Sequence, residues 1–160
     1  MSSRLAEPSV GRVPDIGVRL ALAGDPGELF ADARALEAAG AESLWIDASD
    51  GDPYVALAAM SVVTSRVRLV ARGAPEGSGR ETCAALCRGR LRVAEELERG
   101  GERWTLAAFP ADRKAWRALR EAAAAAGTSG IVIPNDPRLI DLLRNPDQED
   151  DRSDLNIAVG

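Results

Sequence analysis

The chain has 160 residues, with 20 basic and 25 acidic side chains, a net charge of −5 and 46% hydrophobic residues. That is the composition of one ordinary globular domain able to bury a core, and without a net positive field or basic stripe no nucleic-acid partner is expected. Histidine is absent, which excludes Ser-His-Asp and Cys-His catalysis, histidine zinc sites and imidazole acid–base chemistry together.

Lys114 is the single lysine, so Schiff-base chemistry rests on one candidate, at what reads as an exposed helix start. Cys83 and Cys87 stand one helical turn apart, a spacing that suits a disulfide badly and reads as two small core residues in a reducing cytosol. No apolar run approaches the length of a membrane span, and the first residues lack a signal-peptide core. The expectation is a cytoplasmic protein without membrane contact.

Residues 1–14 are polar and turn-rich and read as a flexible leader, residues 15–145 as a single α/β domain, and residues 146–160 as an acidic loop with a C-terminal edge segment. Ile16-Gly-Val-Arg-Leu-Ala-Leu22 reads as the first strand. Asp25-Pro26-Gly27-Glu28 then offers a cap, a first-turn proline and a capping-box glutamate, and Leu29, Ala33, Leu36 and Ala39 keep a helical stripe up to Gly40. Ser43-Leu-Trp-Ile-Asp47 reads as a buried strand. Asp52-Pro53 repeats the cap before Leu57, Met60 and Val63, and Val67-Arg-Leu-Val-Ala71 is the third strand.

The stretch from Arg80 to Arg99 carries two patterns. Cys83, Leu86, Cys87, Leu91, Ala94 and Leu97 favour one long helix ending at Gly100-Gly101, while Gly89-Arg-Leu-Arg-Val93 alternates as a strand would. Further on, residues 104–109 read as a strand, and Trp116, Leu119, Ala123 and Ala126 as a helix stopped by Gly127. Gly130-Ile-Val-Ile-Pro134 is an apolar strand, and Asp136-Pro137 opens a helix through Leu139, Ile140 and Leu143. An acidic loop over residues 145–154 precedes a last apolar piece, residues 155–159, that suits a short edge strand. Strands alternating with helices on short links demand parallel pairing and right-handed crossovers. The fold class is α/β, a parallel sheet of about five β/α units.

In such a sheet ligands bind beyond the carboxyl ends of the strands. Asp47, Ser49, Asp50 and Asp52 form the densest polar cluster expected on that rim. A carboxylate there orients a ligand or accepts a proton, although Asp50 and Asp52 read equally as turn and cap residues. Gly73-Ala-Pro-Glu-Gly77-Ser78-Gly79-Arg80 has the strand-to-helix context of a phosphate cradle, with Ser78 and Arg80 as candidate contacts. It matches neither the Walker nor the dinucleotide spacing, and its plainer reading is a surface loop. Arg72 and Asn135 complete the candidate rim. The carboxylates of the acidic loop lack calcium-loop spacing and read as a solvated charge run, so no metal site is expected. Arg88, Arg90, Arg92 and Arg99 read as a solvent face, and Trp45, Trp104 and Trp116 as core or interface anchors.

Ile16-Gly-Val, a helix ending Ala35-Leu-Glu-Ala-Ala-Gly40, Ser43-Leu-Trp-Ile-Asp47, Asp52-Pro53 with Ala56-Leu-Ala-Ala-Met60, and Thr64-Ser-Arg-Val-Arg-Leu69 follow one another over residues 16–72. This run resembles the opening of the luciferase-like monooxygenases, whose first three β/α units of a TIM barrel have this order and spacing. Gly130-Ile-Val-Ile is similar to a late barrel strand. A complete barrel takes about 250 residues, so the resemblance implies a shortened member, a truncated TIM barrel.

The family's activity is oxidation with reduced FMN or the deazaflavin F420. The resemblance therefore implies an oxidoreductase whose cofactor, FMN or F420, lies over the carboxyl rim, with Trp45, Asp47 and Arg72 bordering the pocket. Many relatives carry histidine just after the second strand, where this chain has Ala48-Ser49, and the loops that grip the flavin phosphate have no counterpart. A non-catalytic relative that binds a flavin or a protein partner is the alternative. The expected assembly is a homodimer, since about five units leave strand faces that a closed barrel would hide.

Overall fold

Successive strand residues point to opposite faces, and in this chain the two faces carry different chemistry. The computed structural model describes residues 12–94, 98–99 and 101–148. In chain order they form β1 (Asp15–Arg19), α1 (Pro26–Ala39), β2 (Ser43–Asp47), a 3₁₀ turn (Ala48–Asp50), α2 (Pro53–Val63), β3 (Arg68–Arg72), α3 (Ser78–Cys87) and β4 (Leu91–Ala94). Then follow β5 (Glu98–Arg99), β6 (Glu102–Leu106), α4 (Arg113–Ala125), β7 (Gly130–Pro134) and α5 (Leu139–Arg144).

The strand order is β4-β3-β2-β1-β7-β6-β5. Every pairing is parallel except the short β5–β6 ladder. The result is a curled half-barrel of six parallel strands with alternating helices, a truncated TIM-barrel-like α/β fold.

The expected caps form. The Asp25 carboxylate accepts the Glu28 amide at the start of α1, Gly40 closes that helix at φ 104°, and Asp52 accepts the amides of Tyr54 and Val55. Ile16, Val18, Leu44, Ile46, Leu69, Ala71, Ile131 and Ile133 point outward and are buried against Leu36, Leu57, Met60, Trp116 and Leu139 of the helices. The inward face holds a second, smaller core of Trp45, Val70, Ala94, Trp104 and Val132.

That inner core sets the curvature. Trp45 on β2 and Trp104 on β6 have two strands between them, so about 14 Å would part their backbones in a flat sheet. Their ring centroids are nevertheless 5.4 Å apart. The Arg68 guanidinium, one strand further on, stands 5.1 Å from the Trp104 ring. The chain also passes from Ala94 on one edge to Glu98 beside the other in four residue steps, a reach of at most about 14 Å. Five strand spacings, about 24 Å, would part those edges if the sheet were flat.

Two glycines admit the indoles. A Cβ on Gly17 would stand 2.5 Å from Trp45 Nε1 and 2.8 Å from Ser43 Oγ, and one on Gly130 would overlap the Trp104 ring. The Trp45 indole N–H donates to Ser43 Oγ at 2.8 Å, which satisfies the polar edge of the buried ring. Below the indoles, at the amino-terminal end, Asp15 pairs with Arg68 at 2.7 Å and with Arg12 at 3.1 Å.

The long helix expected from Arg80 to Arg99 does not form. Helix α3 stops at Cys87 because Arg88 and Gly89 both take left-handed backbone angles, φ 51° and 81°, which no α-helix continues. The strand alternative at Gly89 to Val93 holds, as β4. Arg90 fixes the change of direction by donating to the carbonyls of Ser61, Thr64 and Val67 and to Thr64 Oγ1, at the end of α2. It is therefore an anchor, not part of a solvent face. Residues 1–11 of the expected leader, the far part of the acidic loop and the edge segment at 155–159 lie outside the described residues.

The glycine–tryptophan fit generates a test. Gly130→Ala should cost about 2–3 kcal/mol, the upper range for overpacking a core. In a Trp104→Leu background the same substitution should cost less than about 1 kcal/mol, because contacting sites couple. Urea unfolding of the four proteins measures the cycle, and equal costs in both backgrounds would refute the fit.

Candidate functional site

Parallel strands bring their carboxyl ends to one rim, so the last inward residue of each strand faces its neighbour across the register. Asp47 and Arg72 are direct cross-strand partners on β2 and β3. Arg72 grips the carboxylate with both arms of its fork, Nε on Oδ1 and Nη2 on Oδ2, each at 2.6 Å. Arg19, the last residue of β1, adds Nη1 to Oδ2 at 3.2 Å. Only 5% of the Asp47 side chain is exposed, against 27% for Arg72 and 47% for Arg19.

The Arg72 hydrogen bonds hold the Asp47 carboxyl below its usual range, outweighing the opposing effect of burial, and the Asp47 carboxylate in turn raises Arg72. One carboxylate against two guanidiniums leaves the cluster with a single positive charge. Asp47 is thus a fixed anion, unsuited to accept a proton near neutrality.

The other expected site residues scatter around this cluster. Trp45 lies beneath it, in the inner core. Ser49 is exposed in the 3₁₀ turn and donates to Asp50. Ser78 opens α3, and Arg80, two residues on, pairs with Glu76. Asn135 follows β7, where its amide N–H donates to the Arg19 carbonyl at 3.0 Å and its side chain donates to Asp32 of α1 at 2.7 Å. Ser49, Ser78, Arg80 and Asn135 follow the carboxyl ends of strands, whereas Trp45 stands mid-strand, and of the expected residues only Asp47 and Arg72 share an interaction.

Arg19 escapes the sequence reading. Its signal was available, since Gly17 and Arg19 alternate with the outward Ile16 and Val18, which puts an arginine on the inner face at a strand end.

Arg19 and Asn135 border a cleft of about 260 Å³ between the ends of β1 and β7 and helix α1. Asp25, Glu28 and Asp32 also line it. Drug-sized ligands usually occupy about 300–1,000 Å³, and three carboxylates repel a phosphate. The inner barrel, where a flat ring system would enter, is filled by Trp45 and Trp104. This cleft and the filled interior therefore do not fit a tightly held flavin or deazaflavin.

Other reactive groups are occupied. The Tyr54 hydroxyl donates to the Pro75 carbonyl at 3.2 Å, and burial raises its pKa. Cys83 and Cys87 are buried free thiols with sulfurs 3.6 Å apart. Burial, then the neighbouring Cys87, push the Cys83 thiol up to about 12, which keeps Cys83 a neutral thiol. Among the described residues, no helix is long and apolar enough to cross a membrane.

No protein-family model matches the chain, and no curated protein does. Among solved structures, the chain is similar to the coenzyme F420-dependent tetrahydromethanopterin reductase from Methanopyrus kandleri. The identity is 16% and the TM-score 0.45, over 68% of this chain and 30% of that one. It is also similar to a Gox0644 mutant in complex with NADPH, at 13% identity and a TM-score of 0.34, over 82% of this chain and 48% of that one. The chain thus spans less than half the length of either protein.

The clamped carboxylate predicts a pH signature. Asp47→Asn should lower stability at pH 7 by about 2–3 kcal/mol, the scale of losing hydrogen bonds to a charged partner. Because folding depresses the Asp47 pKa, the stabilisation is complete above the ordinary value of 3.8 and is lost as pH falls through the lower folded value. Denaturant curves of the two proteins should differ by a constant amount from pH 7 to pH 4.5 and converge in stronger acid. A difference that already fades between pH 7 and pH 5 would contradict the assignment.

Proposed function

We propose that this chain is a shortened relative of the luciferase-like monooxygenases that keeps their barrel architecture without their flavin chemistry, as a ligand- or partner-binding half-barrel. Three features support this reading. The motif order over residues 16–72 is that of the family's first three units. The two late strands β7 and β6 stand beside β1, where the last strands of a closed barrel would stand. The observation that carries the loss of chemistry is Asp47, the buried carboxylate of the rim, whose two oxygens are held by Arg72 and Arg19. With histidine absent and Tyr54 and the cysteines engaged, the reading assigns this rim no acid–base residue among the described ones.

A flavin- or F420-dependent oxidoreductase is the second reading, and one observation favours it. The Arg19–Arg72–Asp47 cluster sets two guanidiniums against one carboxylate at a strand-end rim, the position where ligands bind in parallel α/β sheets. Under either reading the cofactor is FMN or F420, held weakly or not at all. Titration with each should give a Kd of micromolar or weaker, about −8 kcal/mol at best. Nanomolar binding, or turnover with either cofactor, would overturn the non-catalytic reading.

We further propose a homodimer formed through α2. This helix carries no charged residue and leaves Val55 and Val62, two turns apart, 66% and 80% exposed. A two-fold contact sets a helix against its own copy, where a charge at the axis would meet its like, so an uncharged stripe suits it. Light scattering should give twice the monomer mass at micromolar concentration, and Val62→Glu should return it to the monomer. A monomer before substitution refutes the dimer.

A further inference from the structure

Four of the 20 basic residues of this acidic chain stand on one helix. Helix α4 carries Arg113, Lys114, Arg117 and Arg120 against Glu121 alone. Arg113 is engaged at its first turn, donating to the Asn145 carbonyl at 2.5 Å and pairing with Asp141. Those contacts fasten the end of α5 to the start of α4. Further along, Arg117 and Arg120 border a cleft of about 240 Å³ with Arg12, Glu121 and Asp147. Neither Arg117 nor Arg120 forms an ion pair among the described residues, and Arg120 lies over the Trp116 ring at 5.8 Å.

The described chain ends one residue past Asp147. The next six residues, 149–154, are Glu-Asp-Asp-Arg-Ser-Asp, four carboxylates and one arginine. Six residues extended reach about 20 Å, and the thirteen residues of α4 rise about 20 Å. The acidic segment therefore starts at the basic cleft and is long enough to follow it.

We propose that the α4 cleft is a docking site for an acidic peptide and that its occupant is this chain's own segment 149–154. Arg117 and Arg120 hold the carboxylates, and Arg113 sets the point from which the segment leaves. The attachment is electrostatic, so salt releases it, and an acidic partner of higher charge competes for the same arginines.

Arg152 supplies the readout, because trypsin cleaves after it only when the segment is free. The cleavage rate in the full chain is compared with that of a free synthetic peptide of residues 147–156, which corrects for salt effects on the protease. At low salt the full chain should be protected about tenfold or more, since proteolysis follows the population of the open form. Protection should fall to near one in about 0.5 M NaCl, where screening extends only a few ångströms, and in the Arg117→Gln/Arg120→Gln variant. If that variant melts early, the salt arm on the unaltered chain decides. No protection at low salt, or protection untouched by both salt and variant, overturns the proposal. Protection that grows with protein concentration overturns it as well, by placing the segment on a second copy.

Discussion

Two indoles seated over two glycines hold this fold in its shape. Trp45 and Trp104 meet across a gap that a flat sheet would leave open, and they meet because Gly17 and Gly130 leave the space beneath them empty. Large aromatic surfaces dominate the energy of a small core, and here they tie β2 to β6, strands that share no hydrogen bond. The outward face, lined with isoleucine, valine and leucine, would serve a flat doubly wound sheet equally well. The inward face would not.

That packing also decides what the carboxyl rim can be. With the interior filled, the rim is a lid of charges over a solid core. Asp47 and Arg72 meet as register partners, and Arg19 joins them from the neighbouring strand. A carboxylate that fastens two strands together is a structural anion, and its depressed pKa follows from the Arg72 hydrogen bonds. The cleft that the described residues form beside it is small and acid-lined. Curvature, filled interior and ion cluster are thus consequences of one another.

Much of this was legible in the residues. Asp25-Pro26 and Asp52-Pro53 announced two helices, Ser43 to Asp47 gave a strand with correct ends, and paired cysteines one turn apart read as buried thiols. Local rules sufficed there, because each signal acts within a turn or a strand. Helix α3 was misjudged because Ala, Glu and Arg dominate helix propensity over residues 80–99. The break depends on two consecutive left-handed residues, one of them Arg88, that propensity does not reveal. Strand order was illegible, since nothing local states that β7 joins β1 or that β4 and β6 approach each other. Asp47 was found as a candidate, but its clamping needed the register, and Arg19 became visible only once the inner face was known.

The central claim is that the six parallel strands curl around the tryptophan pair, and contacts between the two indoles test it most directly. In an NMR spectrum of the labelled protein, NOE cross-peaks should join the ring protons of Trp45 to those of Trp104, and the Arg68 side chain to Trp104. The account predicts both sets, because strands β2, β3 and β6 face a common interior. Cross-peaks confined to each tryptophan's own neighbouring strands would mean an open, flat sheet and would contradict it.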